Sequence, residues 1–119
     1  MSNYEDLAVW QLSHELVLEI YAITKQFPSE EKYRLTDQLC RAVLSIPLNI
    51  CEGTGRNTKK DFIHFLYIAR GSLQETRYIL TLAKDLNLIN DDGYCHLVGK
   101  CNTVGKMLNS LIASVKGRQ

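Results

Sequence analysis

The sequence predicts an all-α protein, an antiparallel up-down-up-down four-helix bundle. Apolar residues recur at spacings of three and four throughout, the period of a helix with a buried face. There are only two prolines, and no Asn-Gly or Asp-Gly turn stands between alternating segments, so the chain carries no hairpin signal. The connections between periodic segments are short, which makes consecutive helices antiparallel neighbours. The 119 residues, 45% hydrophobic, fit a single globular domain spanning 1–119.

The first helix is expected over about 7–26, stopping ahead of Phe27-Pro28 because the residue before proline avoids helical geometry. The second is expected over about 35–54, closed by Gly53-Thr54-Gly55. Thr58-Lys59-Lys60-Asp61, a variant of the capping box, opens a third over about 58–86. The acids of Asn90-Asp91-Asp92 suit the start of a fourth over about 91–116, ending near Lys116-Gly117.

At about 100° per residue, the fourth helix shows one apolar stripe from Leu97 to Val115, as a surface helix should. The other three show more. Beside the stripe Val9, Leu12, Leu16, Ile20, Ile23, Phe27, the first helix carries a second of Leu7, Trp10, Val17, Leu18 and Tyr21. The second helix adds Cys40, Leu44, Pro47, Leu48 and Cys51 to its core line, and the third adds Ile68, Ile79, Leu82 and Leu86. A lone bundle buries one broad stripe per helix, so the surplus marks an interaction surface and predicts obligate self-association.

The most informative segment is Ser45-Ile46-Pro47-Leu48-Asn49-Ile50-Cys51-Glu52-Gly53. Proline inside a helix removes one backbone hydrogen bond and costs roughly 3 kcal/mol, so its surroundings must compensate. Opposite the surplus apolar side run Gln38, Arg41, Ser45, Asn49 and Glu52, within a strip roughly 80° wide. This line reads either as a polar network fixing bundle register or as a ligand or partner site. Arg41 and Glu52 are its candidates for charge-assisted bonds. Asn49 and Ser45 are candidates for holding the carbonyls that Pro47 leaves free, the first being that of Val43.

Net charge is +1, so contact with nucleic acid would have to come from local clusters. Arg56, Lys59 and Lys60 sit together between the second and third helices. Lys59, Arg70, Arg77 and Lys84 then share nearly one helical angle, the last three seven residues apart, or about 10 Å per step. Residues 93–119 add Lys100, Lys106, Lys116 and Arg118 without an acid. Repeated around an oligomer, these clusters would make a basic ring for salt-sensitive backbone contacts. A solvated face, or ion pairs to Glu15 and Glu19, is the alternative.

No enzymatic chemistry is expected. His14, His64 and His96 are isolated, and the paired Glu-x-x-His motifs of a di-iron bundle are missing. Gly53–Lys60 fails the phosphate-loop pattern, with Thr58 in place of the second glycine and Lys60 in place of the magnesium-binding hydroxyl. The four cysteines, with no Cys-x-x-Cys pair, read as small buried hydrophobes in a reducing compartment. Neither cofactor nor metal is expected. No apolar run approaches the roughly 18 residues of a membrane helix, and the polar, acidic N-terminus differs from a signal peptide, so cytoplasmic residence is expected.

Several motifs together resemble one family. They are Leu7-x-Val9-Trp10-Gln11, Phe27-Pro28 with Glu30 and Glu31, Leu35-Thr36-x-Gln38-Leu39, Arg41-Ala42, Ser45–Gly53, and Ala69-x-Gly71-Ser72-Leu73-x-Glu75. The chain is similar across nearly its whole length to the four-helix-bundle proteins encoded by intervening sequences of bacterial 23S ribosomal RNA genes. The resemblance implies an antiparallel bundle assembled as a homopentamer, with a ribosomal label that reflects gene location. A related protein, the accessory variability determinant of diversity-generating retroelements, is a basic pentamer that binds nucleic acid and a reverse transcriptase. Cys40 stands where a second basic residue often precedes Arg41, so Arg41 alone carries over from that pair. Leu48 and Cys51 replace small residues common in the motif.

Overall fold

The computed structural model describes residues 3–117. Four helices, α1 (Ala8–Thr24), α2 (Asp37–Thr54), α3 (Lys59–Asp85) and α4 (Asp91–Lys116), form a bundle about 49 Å long. Each packs on its sequence neighbours and α4 returns to α1, the up-down-up-down order. Leu16 and Ile20 of α1, Leu39, Ile46 and Ile50 of α2, Leu66 and Leu80 of α3, and Val104 and Leu108 of α4 are fully buried along the axis. No helix among the described residues is long and apolar enough to cross a membrane.

The helix starts follow local chemistry. Thr58 Oγ1 accepts the Asp61 N–H at 3.1 Å, and Asn90 Oδ1 accepts the Gly93 N–H at 2.7 Å, satisfying orphan donors at the starts of α3 and α4. Helical winding begins before the expected start of the second helix, although regular α2 starts only at Asp37. After Pro28 it winds through a 3₁₀ turn, Ser29–Glu31, and a π turn, Lys32–Thr36, which runs into α2 without a side-chain cap. Glu30 and Glu31 complement the positive end of that winding.

Two chain reversals carry distinct backbone chemistry. As expected, α2 closes within Gly53-Thr54-Gly55: it ends at Thr54 with Gly55 as its cap at an ordinary φ of −86°, and Gly53 lies inside the last turn. Its role is close approach: a Cβ there would lie 2.9 Å from Phe62 Cδ1 and 3.1 Å from Phe65 Cβ. After α3 the left-handed residue is Asn87 (φ 63°). Leu88 N–H donates to Ala83 O and Asn87 N–H to Lys84 O, each at 2.9 Å, closing the helix in a Schellman motif.

The cysteines divide. Only Cys101 is buried, Cys40 and Cys51 are half-buried, and Cys95 is exposed. Their positions on the helix cylinders decide this, since Cys40 and Cys51 lie on the surplus side of α2 and Cys95 lies off the core stripe of α4. Burial pushes the Cys101 thiol up to about 11.

Candidate functional site

The polar line of α2 forms a seam against α3. Asn49 Nδ2 donates to Ser45 O at 2.7 Å and to Ser45 Oγ at 2.8 Å, and Ser72 Oγ on α3 donates to Ser45 Oγ at 2.8 Å. The carbonyl that Asn49 holds is therefore that of Ser45, not the one of Val43 that Pro47 frees. Gln38 donates to Glu75 of α3 and accepts from Arg41, while Glu52 faces Arg56 at 4.0 Å. Ser45 and Asn49 are half-buried, whereas Gln38, Arg41 and Glu52 are exposed. The centre of the line is hydrogen-bonded polar packing between α2 and α3, and its ends are exposed.

On the opposite side of α2, Pro47 is buried while Leu44 and Leu48 remain 42% and 59% exposed. With Tyr4, Trp10 and His14 they line an apolar groove of about 200 Å³ that also includes Cys51. His14 stacks on Trp10 with ring centroids 5.1 Å apart. Leu18 and Tyr21, exposed on α1, belong to the same surplus side of the bundle.

The basic residues predicted from sequence fall into three places. Arg41 and Arg56 belong to the α2–α3 seam, Arg56 lying 4.6 Å from the Phe65 ring. Lys59 and Lys60 line a cavity of about 440 Å³ with Ile63, His64, Tyr67 and Lys116 at the start of α3. Arg70, Arg77 and Lys84 run on from there beside α4. Arg70 donates to Asn109 Oδ1 at 3.0 Å, and Arg77 donates to Asn102 and, at 2.6 Å, to Gln74 Oε1. Lys84 lies 4.8 Å from the Tyr94 ring, and Tyr67 carries both Arg70 (4.8 Å) and Lys116 (5.2 Å) over its ring.

These contacts make a ladder whose cations are held by neutral amides and aromatic faces. Among the described residues, no ion pair engages Arg70, Arg77, Lys84 or Lys116. The expected alternative, pairing with Glu15 and Glu19, does not occur. Those acids lie against α4, where Lys100 donates to both and His96 bonds Glu19. Lys100 is thereby neutralised and drops out of the basic set of residues 93–119. Lys106 lines a separate groove with Leu7 and Met107, and Arg118 lies outside the described residues. Partial burial raises the Glu19 carboxyl, but hydrogen bonds from Lys100 and His96 outweigh it and hold the group below its usual range.

Tyr67, Tyr94, Asn102 and Asn109 are the ladder members that sequence reasoning missed. Asn102 and Asn109 repeat the seven-residue spacing of Arg70 and Arg77. That match was a usable signal, but pairing it required the α3–α4 register. No group of three or more His, Cys, Asp or Glu among the described residues is placed to hold a metal ion.

A family model for 23S rRNA-intervening sequence proteins matches residues 5–110. The chain belongs to that family. The crystal structure of a protein with unknown function from the S23 ribosomal protein family of Bacteroides thetaiotaomicron VPI-5482 is similar, with a TM-score of 0.83 and 29% identity. The likeness covers 88% of this chain and 98% of that one. No curated protein gives a significant match. Family membership and the shared bundle agree with the resemblance carried by Ser45–Gly53 and its companion motifs.

Proposed function

We propose that this intervening-sequence protein is a non-enzymatic homo-oligomer, pentameric as the resemblance implies, that holds nucleic acid by its phosphate backbone. The observation that carries this reading is the α3–α4 ladder. A guanidinium oriented by an amide keeps its full charge and its spare N–H donors, whereas one paired to a carboxylate is already compensated. Arg70 and Arg77 are of the first kind and the Lys100 ammonium is of the second. Repetition around a ring multiplies a modest charge on each chain, and binding by phosphate neutralisation weakens steeply with salt.

The groove around Leu44, Pro47 and Leu48 supports self-association, because exposed apolar surface of this kind is characteristic of interfaces. The competing reading, a protein-interaction scaffold without a nucleic-acid role, draws on the same surface.

Titration of labelled structured RNA across a salt series separates the two. Backbone binding predicts affinity at low ionic strength whose logarithm falls linearly with log salt and which weakens when Lys59, Lys60 and Arg77 are neutralised. No salt-dependent binding at low ionic strength, or binding indifferent to those changes, favours the scaffold. Light scattering on the same samples gives the oligomer. Leu44→Glu/Leu48→Glu is expected to yield monomers, since both side chains are exposed in the single chain and neither supports its core.

A further inference from the structure

We infer that the ligand of the α3–α4 ladder is the backbone of double-stranded RNA, and that an unpaired strand is a poor substitute. The inference rests on the backbone-binding reading above and specifies its ligand.

The first ground is the commitment of the aromatic rings. Proteins that bind single strands without sequence preference lay bases on aromatic faces, worth about 1–3 kcal/mol per base. The ladder has two aromatic side chains, and cations of the protein lie over both. Tyr67 has Arg70 and Lys116 over its ring, and Tyr94 has Lys84. Tyr94 is further tied by a 3.0 Å hydrogen bond between its hydroxyl and that of Thr81. Stacking a base there would first require displacing a cation that should be meeting phosphate.

The second ground is the commitment of the amides. Asn and Gln read base edges through paired donor and acceptor atoms. Here the side-chain carbonyls of Gln74, Asn102 and Asn109 are spent on orienting Arg70 and Arg77. Their amide N–H groups are left without the partner acceptor that a paired base-edge contact needs. What they and the guanidinium groups offer is N–H donors and charge, which suit phosphate and carry no sequence information.

The third ground is shape. Arg70, Arg77 and Lys84 stand on one helix at about 10 Å intervals, about 21 Å in all, and the two arginines are bonded across to α4. A rigid row of charges suits a ligand whose phosphates are already fixed in space. A duplex offers this, with a persistence length of about 50 nm for DNA. A-form RNA adds a wide, shallow minor groove edged by phosphates and 2′-hydroxyls, recognised by shape rather than by sequence. A flexible strand would have to be ordered on the row with no stacking to offset that loss.

The test is fluorescence anisotropy with a labelled 24-bp RNA duplex and, separately, a 24-nucleotide oligo-U strand, each over a salt series. The duplex is expected to bind at least tenfold tighter than oligo-U at equal salt. Arg70→Gln/Arg77→Gln/Lys84→Gln together should lower duplex affinity at least tenfold and flatten the log–log salt slope by about 2.7, at about 0.9 per phosphate contact. Arg77→Lys, which keeps the charge, should retain most of the affinity, and a thermal melt of the triple variant matching the parent excludes misfolding as the cause of its loss. Oligo-U binding as tightly as the duplex, with loss in the triple variant, overturns the duplex inference and leaves backbone binding standing. Absence of salt-dependent binding to either probe overturns both. Duplex binding unchanged in the triple variant overturns the assignment to this ladder.

Discussion

Ser72 on α3 donates its hydroxyl proton to Ser45 Oγ on α2 at 2.8 Å, and Asn49 donates to that same oxygen from one turn further along α2. The three side chains tie the proline-bearing segment of α2 to its neighbour. Asn49→Ala removes two hydrogen bonds, worth about 1–3 kcal/mol together, against a propensity gain of about 0.7 kcal/mol. The net expectation is a loss of about 0.3–2.3 kcal/mol, or a Tm lower by roughly 1–12 °C at fixed protein concentration. Thermal melting by circular dichroism checks this. An unchanged Tm with lost partner binding would falsify the structural reading of the seam.

Gly53 and Gly71 invite opposite outcomes from the same substitution. At both, alanine gains about 0.5–1 kcal/mol of helical backbone preference. At Gly53 the new methyl would meet Phe62 and Phe65, and overpacking costs about 1–3 kcal/mol. At Gly71 it meets nothing within 4 Å. Gly53→Ala is therefore expected to destabilise and Gly71→Ala to stabilise, read from paired urea denaturation curves. Equal signs would contradict the close approach of α2 and α3.

The Glu15–Lys100–Glu19–His96 cluster makes acid sensitivity directional. Because the folded-state pKa of Glu19 is lowered, its contribution is present above the unfolded value of about 4.5 and is lost as pH falls through the folded one. The Lys100 shift is upward, chiefly through its bond to Glu19, so its contribution persists until pH rises beyond about 10.5. The pair is partly exposed, so each effect stays below about 1 kcal/mol. Melting curves between pH 6 and 3 should show a smaller decline for Glu19→Gln than for the parent protein. A parallel decline would remove Glu19 from the account.

Thiol reactivity should follow the fold and the assembly. Cys95 is exposed and should react within the first phase of a titration at pH 8. Cys101, buried with its pKa pushed up to about 11, should react only after denaturation. Cys40 and Cys51 lie on the surplus apolar side of α2. They should be slow in the parent protein and faster in Leu44→Glu/Leu48→Glu if that side joins the subunits. Mass-resolved labelling would expose the reverse order.

Much of this fold was legible because its signals are local. Thr58 and Asn90 announce their helices by side-chain chemistry, and the surplus of Leu18, Leu44 and Leu48 is visible from helical angle alone. The entry to α2 was not, since a π turn over Lys32–Thr36 leaves no periodic mark in five residues. The closure of α2 within Gly53-Thr54-Gly55 was legible, but the close crossing at Gly53 was not, because only the position of Phe62 on the next helix reveals it. The candidate site was half legible. One rail, Arg70, Arg77 and Lys84, follows from spacing on a single helix. Its neutral partners depend on how α3 slides against α4, which no single helix encodes.

Gly53 also bears on the order in which the molecule assembles. It lets α2 and α3 converge beside the short connection of residues 55–58, and these two helices share the most extensive helix–helix interface in the bundle. Closing so short a loop loses little chain entropy, so this hairpin is the cheapest place for native contacts to begin. Stopped-flow measurements should find substitutions along it slowing folding, while those between α1 and α4 chiefly accelerate unfolding. The tight crossing then acts on rates as well as on packing: it gives the chain a starting point.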